Sequence, residues 1–415
     1  MIVAVGKETY PGERRVALVP SGVSPLVKVG FKVLVETGAG TAAGFPDEQY
    51  VQKGAKIAAS RDEILAADVL LQVRAAGANA SRAADDVGRL RSGALVIATC
   101  DPLGEPKSAE PYAAAGVTLL ALELLPRITR AQSMDILSSM ATVAGYRAVL
   151  VAAEALPKMF PMMMTAAGTL APARVFVVGA GVAGLQAIAT AKRLGAVVSA
   201  YDVRAAVKEQ CQSLGAKFVE LQLDTGQTED KGGYAQVMDE QFYEKQREMM
   251  TRVVAESDVV ITTAAVPGKK APILLTRPMV EGMAPGSVVM DLAAERGGNC
   301  ELTRPGETVV HSGVTILGPA NLASEVPYHA SQMYSKNITT FLLHLVDKNK
   351  IKLDLDDEIV RDTLITHRGH VVNERVCELL GITPLADVPE EKPSSDEPAE
   401  ADEPQGDIYD IKKDD

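Results

Sequence analysis

The stretch VFVVGAGVAGLQAIATAKRLGAVVSAYDVR, residues 175–204, decides the fold. Four apolar residues lead into a glycine-spaced turn, an alanine-rich helical pattern follows, and a second apolar run, VVSAY, ends at Asp202. Gly179, Gly181 and Gly184 satisfy G-x-G-x-x-G, the dinucleotide-binding fingerprint. The first glycine permits a tight turn, the second lets backbone approach a pyrophosphate, and the third lets helix pack closely on strand. The pyrophosphate then rests on the helix N-terminus at Val182 and Ala183, where unpaired N–H groups and the helix dipole favour an anion. Asp202, followed by Val203 and Arg204, stands where a carboxylate accepts hydrogen bonds from both adenosine ribose hydroxyls. That placement favours NAD over NADP, because a 2′-phosphate is repelled; Arg204 could pair with such a phosphate, so the preference is not absolute.

Residues 175–191 carry no charge, and seventeen residues is the lower limit for a membrane-spanning helix, which needs about 17–25. Three glycines within six positions, bracketed by Arg174, Lys192 and Arg193, argue for strand, turn and helix instead. No span in the chain reads as long and apolar enough to cross a membrane.

A chain of 415 residues accommodates two or three domains. The net charge of −12 argues against nucleic acid, and with no Trp and 4% aromatic residues the chain lacks stacking platforms for bases or sugars. Between residues 390 and 415, eleven acidic residues stand against three basic ones in a Pro-rich segment poor in bulky apolar residues, which reads as a disordered acidic tail or linker. Cys100, Cys211, Cys300, Cys377 and the five histidines show no metal-ligand spacing, so reduced thiols and no metal site are expected. The opening MIVAVGKE enters a strand pattern directly, without a basic region or cleavage site, and reads as cytosolic or on the cytosolic side of something.

Along the first 120 residues, IVAV, residues 20–30, FKVLVE, residues 47–54, ADVLLQV and ALVIATC alternate as the strands and helices of a parallel α/β sheet. Here Gly38, Gly40 and Gly44 lead into Phe45-Pro46 and not into a helix, so this region has no dinucleotide of its own. Beyond the fingerprint, DVVITTAA and SVVMDLAA repeat the strand pattern, and residues 321–345 carry a helical pattern that returns to the first domain. The expected architecture is α/β, with two doubly wound, Rossmann-like parallel-sheet domains, the second inserted in the first. It divides into residues 1–135, a dinucleotide-binding domain at 136–320, a return at 321–385 and the tail at 386–415.

Three other stretches stand out. In residues 127–138, Arg127, Arg130, Gln132, Asp135 and Ser138 crowd a loop-to-helix junction, where Ser133 and Ile136 offer half a capping box. Residues 221–237, LQLDTGQTEDKGGYAQV, exceed the roughly 12–15 residues beyond which loops tend to be functional or disordered. The consecutive Met162, Met163 and Met164 read as adaptable packing.

An enzyme that oxidises an amino or hydroxy acid moves a proton as well as a hydride, and needs a positioned acid or base, usually His or Lys. No His precedes His311. Hydride transfer between two nicotinamide rings needs no such group; it needs the rings face to face, with water excluded.

In GKETYPGERRVALVP (6–20), RITRAQSMDILSSMA (127–141), PMMMTAAGT, VVGAGVAGLQAI, YDVR, the GGYA loop and DLAAERGGN (291–299), the chain from residue 1 to about 385 resembles the soluble NAD(H)-binding component of the proton-translocating NAD(P) transhydrogenases. The resemblance implies that Arg127, Gln132, Asp135 and Ser138 surround the nicotinamide of NAD(H). Gln132 would bridge towards NADP(H) on a separate membrane-associated partner subunit, and Arg127 with Asp135 would form an ion pair orienting the carboxamide. Gly233 and Tyr234 would belong to a mobile loop over the nucleotide, with Gln246 and Ala265 near the cofactor by position. A homodimer, peripheral on the cytoplasmic face of the inner membrane, is also implied.

The sister family, the alanine dehydrogenases, supplies the alternative. There an Arg at the position of Arg15 holds a substrate carboxylate, while the substrate-binding Lys would fall at Arg74 and the catalytic His near Cys100. Neither residue type is present, so Arg15 is expected to support the fold. A non-catalytic NADH sensor is the third reading.

Overall fold

The computed structural model describes residues 1–220, 240–265 and 268–384, the side chains of 240–246 excepted. The polar loop with Gly233 and Tyr234, the side chain of Gln246 and the acidic tail lie outside the described residues.

Six parallel strands, β1 (Ile2–Val5), β2 (Lys32–Glu36), β3 (Lys56–Ala58), β4 (Val69–Arg74), β5 (Leu95–Thr99) and β6 (Thr118–Ala121), lie in the order β3-β2-β1-β4-β5-β6. The chain then forms an isolated hairpin, β7 (Met163–Thr165) and β8 (Gly168–Leu170), before a second sheet begins. That sheet comprises β9 (Arg174–Val178), β10 (Val197–Tyr201), β11 (Lys217–Phe218), β12 (Val259–Thr262), β13 (Val288–Asp291), β14 (Thr308–His311) and β15 (Val314–Leu317). Its parallel strands run β11-β10-β9-β12-β13-β15, the same winding, with β14 antiparallel at the edge. After a small hairpin, β16 (Val346–Asp347) and β17 (Lys350–Ile351), the chain returns as β18 (Leu364–His367) and β19 (His370–Val371) to the outer edge of the first sheet. Both sheets are therefore doubly wound and the second is inserted in the first. They are mixed, because β18, β19 and β14 pair antiparallel, which the parallel-sheet expectation missed. The β14–β15 and β18–β19 pairs are joined by tight turns, which force antiparallel pairing.

Both central strands read as unbroken apolar runs because both faces are covered. Val3 and Val5 enter one core while Ala4 enters the opposite one. Val175 and Val177 likewise face one core, and Phe176 and Val178 the other.

A bridging helix, Ile136–Ala155, carries the chain from the first sheet towards the second. Its N-cap is Asp135, whose Oδ1 accepts from Ser138 N at 2.9 Å. Ser133 of the expected half capping box sits instead inside the preceding 3-10 turn, Thr129–Met134. By length and composition this helix is long and apolar enough to cross a membrane, contrary to the expectation of no such span. Part of its apolar surface is used in packing on the fingerprint helix, Val182–Arg193, and on the return helix, Pro327–His344. At Gly145 a methyl group would lie 2.2 Å from Ala183 O, so only glycine allows the two helices this approach.

Met162, Met163 and Met164 do not pack in this chain. They and the whole β7–β8 hairpin are exposed, Met164 at 81%. Isolated two-stranded hairpins have too few neighbours to bury their side chains.

Candidate functional site

The carboxyl ends of the two sheets face each other across a cleft, which is where open α/β sheets bind ligands. Two ion pairs cross it: Arg296 Nη2 with Asp101 Oδ1 at 2.6 Å, and Arg74 Nη2 with Glu295 Oε1 at 3.5 Å. Loop contact adds to them, since a methyl on Gly268 would lie 2.6 Å from Leu103 Cβ.

On the second-domain wall, Gly179 adopts φ +95°, a conformation natural only to glycine, and its N–H donates to Tyr201 O at 2.8 Å. A methyl on Gly184 would lie 1.9 Å from Gly179 O, so helix and strand meet there without room for a side chain. A methyl on Gly181 would meet nothing within 4 Å. Gly181 caps the fingerprint helix without a side-chain acceptor, and no acidic residue lies in the first turn. Open space thus fronts a run of unpaired N–H groups at Val182 and Ala183, and the residues present fit a bound pyrophosphate. Asp202 follows β10 and is tied to the same turn: its Oδ2 accepts from Ala180 N at 2.7 Å. Arg204 Nε and Nη2 each donate to it at 2.9 Å, while Val203 packs against the core beneath.

Opposite the glycine turn, Thr263 Oγ1 donates to Gly179 O at 3.0 Å. Next to it, Ala264 is clasped on both sides by the buried Asn299, which accepts from its N–H at 3.0 Å and donates to its C=O at 2.8 Å. Asn299 is in turn fixed by Asp291, whose two oxygens also take Thr262, Ala293, Cys300 and Thr303. DLAAERGGN is therefore the support that presents Ala264 and the exposed Ala265 to the cleft. This role was missed from sequence, where the motif carried only the family resemblance. The available signal was two polar residues, Asp291 and Asn299, bounding a short stretch that had to be buried or bonded.

RITRAQSMD forms the turn before the bridging helix. Arg127 and Gln132 are exposed, and Asp135 and Ser138 are half-buried. Asp135 is engaged as the helix cap, with Oδ1 and Oδ2 accepting from Ser138 N and Oγ at 2.9 and 2.6 Å. The stretch and the cradle are joined mechanically. Ser138 and Gly145, which abuts Ala183, are separated by about 10 Å of helix.

The first-domain wall is charged but locked. Arg15, 6% exposed, makes a two-pronged bond to Glu13 at 2.8 and 2.7 Å and donates to Asn321 Oδ1 at 3.0 Å, as befits a residue supporting the fold. Arg74 lies 4.3 Å over the Tyr10 ring and also pairs with Glu13 at 3.4 Å. Cys100 is fully buried, and burial pushes its thiol well above the ordinary value, so it handles no proton near neutrality.

Burial also pushes Glu8 up to about 7, against hydrogen bonds from Val73 N and Arg74 N. Glu123 is raised to about 7 by the same cause, and its Oε2 is buried without a hydrogen-bond partner. For Glu13, burial raises the value but the hydrogen bonds and charge of Arg15 outweigh it, leaving about 2. Raised carboxyls hold extra protons in the folded state, so stability falls as pH climbs from 4.5 to about 7. Glu13 contributes stability present above 4.5 and lost as pH falls towards 2. Melting temperature against pH should therefore peak near pH 5, about where these opposing windows meet, and Glu8→Gln should flatten the upper limb. A melting temperature that climbs steadily from pH 5 to 7 contradicts this.

Fold and cradle together define a two-domain dinucleotide-binding α/β protein. Residues 4–144 match the family model "Alanine dehydrogenase/PNT, N-terminal domain" and residues 148–374 the corresponding C-terminal domain. The chain belongs to the alanine dehydrogenase/PNT family. It is 48% identical over 377 residues to the first part of NAD(P) transhydrogenase subunit alpha of Rhodospirillum rubrum, covering 90% of this chain and 98% of that one. A crystal structure of transhydrogenase from Sinorhizobium meliloti superposes with a TM-score of 0.81 at 47% identity, over 90% of this chain and 100% of that one. Similarity to alanine dehydrogenase of Bacillus subtilis is lower, 30% over 406 residues, with 96% and 98% covered.

Proposed function

We propose that the chain is the NAD(H)-binding subunit of an NAD(P) transhydrogenase, exchanging a hydride between its own NAD(H) and NADP(H) held by a partner subunit. The observation that carries this reading is an intact dinucleotide cradle together with a fully buried thiol, Cys100, raised by burial, near the place where the sister family would carry its catalytic His. Transfer from ring to ring needs no proton shuttle, since a bound dihydronicotinamide supplies only a hydride. The chain's residues bind and orient. The helix end at Val182 and Ala183 takes the pyrophosphate and Asp202 the adenosine ribose. The turn with Arg127, Gln132, Asp135 and Ser138 takes the nicotinamide end, and Gln132, which is exposed, bridges towards the partner's nucleotide in this reading. Gly233, Tyr234, Gln246 and Ala265 complete the proposed surround. Proton translocation belongs to membrane-spanning partners, with this chain peripheral on the cytoplasmic face of the inner membrane. The test is to mix the chain with an NADP(H)-binding component and follow reduction of an NADP analogue by NADH. Absence of exchange overturns the proposal, as does oxidation of NADH by pyruvate and ammonia with this chain alone.

The homodimer belongs to the same proposal. Met162, Met164 and Leu170 are exposed on and just before one hairpin, and the segment leading into it lines an open pocket with Leu156, Pro157, Phe160 and Leu194. A second copy offers the reciprocal pair of surfaces that two-fold association needs. Met164→Asp should therefore shift the sedimenting species from dimer to monomer without lowering the melting temperature of the sheets. A monomeric unmodified chain contradicts it.

A further inference from the structure

We propose that Asn337 and Asp357 are positioning residues for hydride exchange: they clamp the turn on either side of Gln132 and so fix where its exposed amide is held. This rests on the transhydrogenase reading of RITRAQSMD and adds to it the parts of the first domain that keep the turn in place.

The turn needs outside support. Thr129–Met134 is a 3-10 helix of six residues, entered at Ile128 without a side-chain cap. Hydrogen bonds in a 3-10 helix are poorly aligned, and runs beyond three or four residues are uncommon. Ala131 and Met134 seat its inner side in the first-domain core, while Gln132 and Ser133 are exposed. Asn337 Nδ2 donates to Ser133 O at 2.9 Å, one residue after Gln132. Two residues before Gln132, Arg130 Nη2 pairs with Asp357 Oδ1 at 3.1 Å and with Glu358 Oε1 at 3.6 Å. Asp357 is itself seated: its Oδ1 accepts from Ile359 N at 3.1 Å, capping the helix Glu358–Thr363, and its Oδ2 lies 2.6 Å from His344 Nε2. Asn337 and His344 stand seven residues apart on the return helix, two turns along one face, or about 10 Å. One helix therefore grips the turn at both ends, with Gln132 between the two holds.

Stability alone does not account for these groups. Asn337 is 6% exposed, and its Oδ1 is buried without a hydrogen-bond partner among the described residues. A buried, unpaired amide oxygen is costly, and a leucine of similar size would fill the core without that cost. What asparagine adds is the N–H that holds Ser133 O. Arg130, 60% exposed, gains little stability from its ion pair, yet the pair fixes the direction of the turn. Direction is what exchange between two rings requires, since a misplacement of about 1 Å costs on the order of 100-fold in rate.

The test compares Asn337→Leu and Asp357→Asn with the unmodified full chain, by NADH titration and by hydride exchange at saturating NADH with the NADP(H)-binding component. Asp357→Asn keeps an acceptor for Ile359 N while removing the charge that holds Arg130, so it serves even if Asn337→Leu fails to fold. Each should leave the NADH dissociation constant within about threefold and lower exchange about tenfold. In a Gln132→Ala background either change should cost no further exchange, because the side chain being positioned is gone. Arg130→Lys should retain more exchange than Arg130→Ala. A merely structural role would lower binding and exchange alike, or add its full loss in the Gln132→Ala background, and either result overturns the proposal. Absence of exchange with the unmodified chain overturns the transhydrogenase reading and the positioning roles with it. Exchange that is present in the unmodified chain and undiminished in both variants overturns the positioning roles alone.

Discussion

Gly181→Val abolishes nucleotide binding and leaves the fold standing. Gly181 has φ −73° and ψ −168°, extended backbone that a branched residue adopts readily, and no neighbour lies within 4 Å of an added methyl. The structural effect is that of changing an N-cap, about 1 kcal/mol, or a few degrees in melting temperature. The branched side chain nevertheless projects into the space in front of the helix N–H groups, where the pyrophosphate must come. A loss of at least 100-fold in NADH affinity, about 3 kcal/mol, is expected in a fluorescence titration. Gly184→Val is the contrast, because its first carbon already collides with Gly179 O at 1.9 Å. That variant should fail to give folded protein. If Gly181→Val binds NADH normally, the cradle assignment is wrong.

Gln132→Ala separates binding from exchange. Gln132 is exposed on the turn Thr129–Met134, outside the fingerprint, and its side chain caps no helix. Truncating it should change the NADH dissociation constant by less than about threefold, a fraction of a kcal/mol. Hydride exchange with the NADP(H)-binding component should fall roughly 100-fold, near 2.7 kcal/mol of barrier, because orientation of the two rings is lost. Equal losses in binding and exchange would make Gln132 a simple binding residue. Unchanged exchange would remove it from the site.

The two Rossmann-like units were legible because their central strands, such as IVAV and VFVV, are buried on both faces and write themselves as apolar runs. The fingerprint was legible for a related reason: close approach and positive φ restrict its turn to glycine. What escaped was decided by tertiary partners. β3 has three residues, and β18 and β14 are strands whose direction depends on the sheet they join. The capping role of Asp135 escaped because the helix boundary fell two residues later than Ser133 suggested, which placed Ser138 one turn ahead of the carboxylate. The exposure of Met164 follows from the hairpin's isolation, which composition does not reveal. The cross-cleft pairs Arg296–Asp101 and Arg74–Glu295 join residues about two hundred positions apart, and no local pattern announces them.

The most direct test of the central claim follows the hydride itself. NADH carrying deuterium at the transferable C4 position is mixed with the chain, the NADP(H)-binding component and an NADP analogue whose reduced form absorbs apart from NADH. Direct ring-to-ring transfer predicts the deuterium in the reduced analogue, with none released to water, and no NADH oxidation when the partner is left out. Deuterium lost to solvent, or oxidation of NADH by this chain alone with pyruvate and ammonia, would contradict the account.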